Sequence, residues 1–464
     1  MIFKIKNLGI LEQAEIDFRY DLILLCGHNN TGKSYLAYGI YHFLTMNREY
    51  KLPNFRDLEN LFNKMAHQLE TNTVRKNPII INLVDIFHTY LSPHKTEIFA
   101  HVLKQYVQGL EEFFAAHDQA LFSATQAQIE ISDQEIVDKI LLNSFNIESA
   151  CQQTSLSISK RQNSPYLNLT FEIEKSQHET ERLTECLIEQ ILATIFNSVF
   201  RFRTFIAPAE RSAINIFSRE LSLIRNKLFT QMFKSNADNM LDLLSTRVNR
   251  YPKPIGDNLS MAEDLVYLSR QKSEFGDLAN ELEQHILKGK IQISPAGEVK
   301  YIPNQAPSQN LPMHLSGSLV KSLSPLVFYL RHLAKNGDYI IIDEPELNLH
   351  PKNQILIARF LGRLVNEGFK VIASTHSDYI IMEMNNLIML TKPDKQVTDL
   401  MKKYGYTDNQ LLKPKQVGAY VFHENCQHSQ NIKVNETGFE IETIDEVVKM
   451  VNESSREIYF TLFD

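Results

Sequence analysis

Apolar and polar residues alternate along the first part of the chain, as they do in half-buried β-strands. The alternation in residues 1–20 breaks at Asn7, Leu8 and Gly9, which indicates two short strands, and the run 21–26 that follows is almost wholly apolar. Such a run is typical of a strand that is buried on both faces of a sheet. From residue 33 the apolar spacing becomes helical, so the pattern predicts a strand, a tight loop and a helix in that order.

The middle of the chain carries both helical and strand patterns. Residues 51–150 mostly show helical spacing with few glycines, which predicts a helical insertion. Strict alternation on both sides of Asn163-Ser164-Pro165 predicts an antiparallel hairpin. Helices are expected at about 180–199 and through most of 213–288, and a second hairpin is expected at 290–302.

Two short apolar runs in the last third of the chain end in polar residues. The run 339–342 is followed by two carboxylates, Asp343 and Glu344, and the run 369–373 is followed by Ser374-Thr375-His376. Both runs are predicted to be buried strands, and the second is expected to lie beside the first. The tail is predicted to contain a strand, a loop, two short strands and a final helix with one apolar face.

The loop after the first buried strand reads GHNNTGKS and matches G-x-x-x-x-G-K-[ST] in full. Glycines let successive backbone N–H groups turn toward a phosphate, and the helix that follows points its positive end at the same anion. Lys33 is predicted to reach the β- and γ-phosphates, and the Ser34 hydroxyl to hold Mg²⁺. The residues predicted to contact the nucleotide are Gly27, Asn29, Asn30, Thr31, Gly32, Lys33 and Ser34.

An apolar strand followed by two carboxylates is the Walker B pattern. Asp343 is suited to hold Mg²⁺, and Glu344 to orient and deprotonate an attacking water. A histidine after a strand is often only a structural hydrogen-bonding group, but beside a Walker B strand His376 is predicted to sense the γ-phosphate and to donate to it. We therefore predict that Lys33, Glu344 and His376 are catalytic and that Ser34 and Asp343 bind the metal.

A third strand, followed by a proline-marked turn, precedes Glu210 and Arg211. Ligands collect at the carboxyl ends of the strands in open α/β sheets, which makes Arg211 a candidate for a nucleotide contact. A charged pair at the start of a helix is equally well explained as helix capping. Both interpretations of Arg211 stay open at this point.

Composition narrows the class of protein. A chain of 464 residues is long enough for two or three domains, and its net charge of −7 neither supports nor excludes a nucleic-acid partner. The cysteines lack C-x-x-C spacing, which argues against a zinc knuckle or a disulfide framework. No apolar run approaches the ~18 residues of a membrane span, and the N-terminus lacks the layout of a signal peptide, so we expect a cytoplasmic protein without a membrane partner.

The order of phosphate loop, insertion, LSGS at 315–318, Walker B glutamate and strand-tip histidine resembles the ABC-type ATPase heads of the SMC, RecF and OLD-like group. The resemblance implies an α/β fold, an ABC-type P-loop NTPase head with a mixed sheet flanked by helices and a large helical insertion. It also implies ATP and Mg²⁺ as ligands and a homodimer that sandwiches ATP. The residues implied to contact the nucleotide of the other subunit are Leu315, Ser316, Gly317 and Ser318.

Pattern and resemblance together predict five segments. They are an N-terminal part of the head with the phosphate loop (1–50), the helical insertion (51–150), a β-hairpin with helical segments that complete the head (151–310), a C-terminal part of the head with the signature, Walker B and switch histidine (311–392), and a small C-terminal α/β region for partner or subunit contacts (393–464).

More narrowly, IIIDEPELNLHP with STHSDYI and IAPAERS resembles ATPases of bacterial antiphage systems, similar to the PtuA subunit of Septu and the AriA subunit of PARIS. That resemblance implies a slow, regulatory ATPase that forms dimers or higher oligomers and controls a separate effector protein, such as a nuclease. The alternative hypothesis is a RecF- or SMC-like ATPase that binds DNA in repair or maintenance. An ABC transporter subunit is disfavoured by the large insertion.

Overall fold

The structure is a computed structural model that describes residues 1–46, 79–116, 118, 120–151, 154–173, 195, 199–200, 202–214, 216, 251–294, 297–423 and 426–463. The strands are β1 (Ile2–Leu8), β2 (Leu11–Asp17), β3 (Leu22–Gly27), β4 (Ile79–Asn82), β5 (Gln126–Glu130), β6 (Phe145–Cys151), β7 (Thr154–Lys160), β8 (Tyr166–Ile173), β9 (Thr204–Ala207), β10 (Gly289–Ile293), β11 (Val299–Pro303), β12 (Leu311–Pro312), β13 (Tyr339–Asp343), β14 (Lys370–Thr375), β15 (Val417–His423) and β16 (Cys426–Ile432).

Helices surround these strands. The α-helices are α1 (Lys33–Thr45), α2 (Leu83–Ile86), α3 (Lys95–Phe114), α4 (Ala120–Ser123), α5 (Asp133–Leu142), α6 (Lys253–Glu263), α7 (Leu265–Leu268), α8 (Gly276–Glu281), α9 (Ser318–His332), α10 (Pro351–Asn366), α11 (Asp378–Met389), α12 (Val397–Tyr404) and α13 (Glu442–Phe463). Short π-helical turns span Phe87–Leu91 and Leu282–Leu287, and 3₁₀ turns span Ser92–His94, Met313–Leu315, Asp408–Gln410 and Pro414–Gln416. Among the described helices, none is both long and apolar enough to cross a membrane.

The chain divides into two compact units. The first, here called the insertion unit, comprises Met1–Phe3, Leu44–Gln108 and Ala127–Phe202. The second, here called the sheet unit, comprises Lys4–Phe43, Gly109–Gln126 and Arg203–Asp464. Every residue that the sequence pattern singles out for nucleotide, metal or catalysis lies in the sheet unit.

The sheet unit is organised around a mixed sheet whose strands follow the order β1-β2-β16-β15-β3-β14-β13-β9. The strands from β15 to β9 run parallel to one another. Strand β3 is buried along its whole length, as expected for an apolar strand covered by helices on both faces. This mixed sheet flanked by helices confirms the predicted α/β fold class.

Helix α9 and the pair α10 and α11 cover this sheet because each presents an apolar stripe to it. Buried side chains of α9 include Leu323, Leu326 and Leu330, and they pack in one core with residues from β3 and β13. The second predicted hairpin is also present, as β10 pairs with β11 in antiparallel register.

The tail of the chain, expected to be a small C-terminal α/β region for partner or subunit contacts, adds strands to the central sheet. Strand β15 pairs in parallel with β3, from Val417 opposite Leu22 to Phe422 opposite Gly27. All of β15 except its last residue is buried, because its sequence VGAYVFH is apolar enough for both faces of a sheet. Residues 417–432 therefore contribute two strands to the central sheet of the sheet unit.

The described part of the predicted helical insertion contains strands as well as helices. In the insertion unit, β4, β8, β7 and β6 form an antiparallel sheet in that order, and β7 and β8 are the predicted hairpin. Strands β4 and β6 fall inside the segment that was expected to be helical. The sequence pattern did not indicate them, because strands of four and seven residues are too short to stand out within mostly helical spacing. The helix expected at 180–199 lies almost wholly outside the described residues.

Candidate functional site

The predicted site residues meet at one edge of the parallel sheet. Strand β3 ends in the phosphate loop, its neighbour β14 ends at Thr375, and β13 on the other side of β14 ends at Asp343. In the register of the sheet, Asp343 stands opposite Ser374, and Thr375 stands opposite Cys26. The expectation that the histidine strand lies beside the Walker B strand is therefore correct.

The phosphate loop wraps around the side chain of its own lysine. Gly27 and Gly32 have φ angles of 131° and 92°, and Asn30 also has a left-handed φ of 61°. The Lys33 ammonium, which is buried, donates hydrogen bonds to the carbonyl oxygen of Gly27 at 2.9 Å and to that of His28. Burial lowers the pKa of Lys33, while the negative charge of Glu344 acts against that shift. A bound triphosphate would give this buried ammonium an anionic partner.

Ser34 and Asp343, which are 309 residues apart in sequence, meet beneath the phosphate loop. The Ser34 hydroxyl donates a hydrogen bond to Oδ1 of Asp343 at 3.1 Å, and the Ser374 hydroxyl donates to the same oxygen. Burial raises the pKa of Asp343, and these two hydrogen bonds act in the opposite direction. A hydroxyl and a carboxylate oxygen side by side are donors that Mg²⁺ prefers, together with waters and phosphate oxygens. The donor set therefore fits the predicted metal.

Glu344 adopts a backbone conformation that is uncommon for a residue with a side chain. Its φ is 51°, and its N–H donates to both the carbonyl oxygen and the hydroxyl of Ser374, each at 3.1 Å. Left-handed backbone at a non-glycine residue costs about 1–3 kcal/mol and persists where surrounding contacts enforce it. The Glu344 side chain is 25% exposed, so it can reach a water molecule at the open side of the site.

His376 lies between two carboxylates. Its Nδ1 is 3.3 Å from Oε1 of Glu346 and 3.9 Å from Oε1 of Glu344, and its side chain is 41% exposed. In the sequence Glu346 lies within the IIIDEPELNLHP stretch, but the pattern gives Glu346 itself no role at the site. The structure adds this buried glutamate to the site.

In the structure Arg211 has hydrogen-bond partners within the chain, and its expected nucleotide contact stays a prediction. Its guanidinium is buried and donates to the carbonyl oxygens of Asp343 and Glu344, both at 2.7 Å. It also donates to the carbonyl oxygen of Pro208 at 3.0 Å and to the Ser322 hydroxyl at 2.9 Å. Because Arg211 holds the backbone of the two Walker B carboxylates, we assign it a positioning role.

The LSGS segment forms an open corner at the start of α9. Gly317 is the N-terminal cap residue of this helix, no side chain caps it, and a Cβ at Gly317 would meet nothing within 4 Å. Leu315 is 66% exposed and Ser318 is exposed, whereas the Ser316 hydroxyl donates to the carbonyl oxygen of Met313 at 2.6 Å. An uncapped helix N-terminus is suited to bind an anion, which agrees with a contact to a second subunit's nucleotide. That contact stays a prediction.

A family of known proteins matches most of the chain. The family described as AAA ATPase domain matches residues 1–381. The petrobactin import ATP-binding protein YclP of Bacillus subtilis (strain 168) is 36% identical over 76 residues, which are 14% of this chain and 30% of that protein. The chain thus spans less than a third of the length of this curated relative.

Two solved structures of Smc heads align with most of the chain at low similarity. The Smc head domain with an extended coiled coil, bound to the C-terminal domain of ScpA and derived from Pyrococcus furiosus, is 11% identical, with 98% of each chain covered and a TM-score of 0.31. The Smc head bound to the C-winged helix domain of ScpA is 10% identical, with 93% of this chain and 96% of that chain covered and a TM-score of 0.31. A TM-score this low supports no conclusion about activity or partners.

Proposed function

The chain belongs to the AAA ATPase domain family, and on that premise we propose that it is a slow, regulatory ATPase whose closed, ATP-bound dimer controls a partner protein. Residues 27–34 cradle the triphosphate, and Ser34 and Asp343 hold the Mg²⁺ that neutralises its charge. Glu344 orients and deprotonates the attacking water, and His376 donates to the γ-phosphate.

A single observation carries the hydrolytic part of this proposal. Ser34 and Asp343 are joined by a 3.1 Å hydrogen bond across 309 residues of sequence, at the edge of the sheet where β3 and β13 end. A metal-binding pair at the start of a phosphate-loop helix has a direct chemical use only beside a nucleotide. Glu344 follows β13 and His376 follows β14 at the same edge of the sheet, so a water and a γ-phosphate would both be within reach of these side chains.

The dimer is supported by the open corner at α9. A helix N-terminus without a side-chain cap presents unpaired backbone N–H groups, and a γ-phosphate brought by a second head would satisfy them. Leu315 and Gly317 are exposed there, as a surface for a second subunit requires.

Control of a separate effector is the finer part of the proposal. It rests on the resemblance to antiphage ATPases and on helix α13, whose described side chains beyond residue 449 include exposed apolar groups. These are Met450, Val451, Ile458, Tyr459, Phe460, Leu462 and Phe463. We propose that this helix contacts the effector, which by resemblance is a nuclease, or a further subunit.

The experiment is native mass spectrometry of the protein co-expressed with the products of neighbouring genes, with and without ATP. Glu344→Gln should trap an ATP-bound dimer that carries a second protein in fixed ratio, since the amide cannot deprotonate water. Gly317→Asp should remove the dimer, because it places a negative charge where a phosphate is expected and meets no steric obstacle. Gly276→Asp, at the first position of α8 and equally free of steric contact, is the matched control.

Three outcomes would contradict parts of the proposal. A Gly317→Asp variant that dimerises as well as Gly276→Asp would refute the sandwich geometry. A dimer that co-purifies with DNA and no protein would favour the DNA-binding alternative. A Glu344→Gln variant that hydrolyses ATP at the wild-type rate would remove Glu344 from the reaction.

A further inference from the structure

We propose that Glu346 is the positioning residue for His376, an inference that rests on the proposed action of His376 at the γ-phosphate. One oxygen of Glu346, Oε1, holds both the backbone and the ring of the histidine strand end. It accepts hydrogen bonds from the His376 backbone N–H and from the Thr375 hydroxyl, each at 2.8 Å, and it lies 3.3 Å from Nδ1 of the His376 ring. Two hydrogen bonds from adjacent residues thus converge on a single oxygen that also lies close to the ring nitrogen.

The other oxygen of Glu346 distinguishes this carboxylate from a fully paired one. Glu346 is buried, and its Oε2 has no hydrogen-bond partner among the described residues. A buried carboxylate oxygen without a partner costs free energy. Glu383, an equally buried carboxylate on α11, has partners on both oxygens: Arg359 on Oε1, and Asn386 and Tyr406 on Oε2. An unpaired buried oxygen is retained more readily where the residue has a functional role.

The position of Glu346 favours one orientation and one tautomer of the His376 ring. A carboxylate can only accept a hydrogen bond, so Glu346 orients the ring through Nδ1 only when that nitrogen carries the hydrogen. The other ring nitrogen, Nε2, then remains available to a ligand on the open side of the site. Carboxylates that bind the second nitrogen of a histidine fix ring orientation in this way at many metal and catalytic sites.

Glu346 also keeps His376 apart from the catalytic carboxylate. The ring nitrogen Nδ1 is closer to Oε1 of Glu346, at 3.3 Å, than to Oε1 of Glu344, at 3.9 Å. Without Glu346, Glu344 is the carboxylate that remains beside the ring. If Glu344 binds the histidine, it no longer contacts the attacking water. Loss of Glu346 therefore impairs both His376 and Glu344.

The test is a double-mutant cycle in which kcat, the Kd for ATP and thermal unfolding are measured for each variant. Glu346→Ala should lower kcat about 10- to 100-fold, the range found when a residue that orients a histidine is lost, with the Kd for ATP unchanged within about twofold. Combined with His376→Ala, it should add little further loss, because both changes remove the same interaction. Glu346→Gln, which retains an oxygen acceptor, should keep more activity than Glu346→Ala.

Thermal unfolding without nucleotide provides a readout independent of activity. Glu346→Gln should unfold at or above the wild-type temperature, since it removes a buried charge with an unpaired oxygen. The matched control Glu383→Gln should unfold at a lower temperature and keep the wild-type kcat, because it breaks a fully paired contact with Arg359 outside the site.

Each failure points to a different error. If the losses from Glu346→Ala and His376→Ala add in full, Glu346 acts independently of the histidine and the inference is wrong. If both Glu346 variants hydrolyse ATP normally while His376→Ala does not, the inference is also wrong but the proposed role of His376 stands. If His376→Ala alone leaves kcat unchanged, the proposed function of His376 itself fails.

Discussion

Arg211→Lys tests whether the Walker B backbone is held in place by one buried guanidinium. The two terminal nitrogens of Arg211 donate to the carbonyl oxygens of Asp343 and Glu344, both at 2.7 Å. A lysine keeps the charge, but its single ammonium cannot replace the planar fork that binds two carbonyls at once. At least one buried carbonyl oxygen is then left without its donor.

The expected cost follows from the hydrogen bonds that the substitution removes. Hydrogen bonds from a charged donor contribute about 1.5–3 kcal/mol each, and an unsatisfied buried acceptor costs about 1–3 kcal/mol. Removal of one or two such hydrogen bonds therefore predicts a decrease of about 2–5 kcal/mol in the free energy of unfolding. Because the same carbonyls set the positions of Asp343 and Glu344, we also expect kcat to fall about tenfold or more, which corresponds to ~1.4 kcal/mol of transition-state stabilisation.

The assay combines urea unfolding, followed by circular dichroism, with ATPase kinetics and nucleotide binding. Arg359→Lys is the control, because Arg359 also donates to a carboxylate and to two carbonyl oxygens in the sheet unit but outside the site. Both variants should lose stability, whereas only Arg211→Lys should lower kcat. A raised Kd for ATP in Arg211→Lys would instead indicate a direct nucleotide contact. Unchanged stability and kcat in Arg211→Lys would refute the positioning role.

Three further predictions concern the phosphate loop and its supports. Gly27→Ala should lower the unfolding temperature and abolish ATP binding in calorimetry, because its Cβ would meet the carbonyl oxygen of Phe422 at 2.2 Å and its φ is +131°, whereas Gly317→Ala should change the unfolding temperature little. Burial raises the pKa of Cys26 from 9.0 to about 12, so the folded chain keeps a proton that the unfolded chain releases above pH 9. The stability of the wild type relative to Cys26→Ala should therefore fall by about 1 kcal/mol between pH 7 and pH 10 in urea titrations, and a constant difference would contradict the burial of this thiol. Chelation of Mg²⁺ should stop hydrolysis, and Asp343→Asn should need about tenfold more Mg²⁺ for half-maximal rate, since an amide is the poorer ligand; equal Mg²⁺ requirements would remove Asp343 from the metal site.

Local patterns were enough to predict the centre of the fold and the grouping of most candidate site residues. The motif at 27–34, the apolar run before Asp343 and the run before His376 each determine a strand and the side chains at its end. Parallel strands bring their carboxyl ends together, so the grouping of these residues follows from the strand assignments alone.

Interactions between distant segments were not predictable in this way. The role of Arg211 depends on which backbone carbonyls lie opposite its side chain, and the charge pattern around it fits a capping residue equally well. Glu346 is recognised only because the end of β14 places Thr375 and His376 next to it. The partner of β15 could not be deduced either, because an apolar strand carries no information about which neighbour it pairs with.

The pairing of β3 determines when the nucleotide site can form during synthesis. The two strands beside β3 are β14 and β15, so the phosphate loop has both neighbours only after residue 423 has left the ribosome. At about 5–20 residues per second, that is roughly 20–80 s after the loop itself is made. Before β14 is made β3 has two unpaired edges, and one edge stays unpaired until β15 is made; such edges are prone to pair with other chains. A nascent chain interrupted before β15 is therefore expected to be an aggregation risk and to bind no ATP.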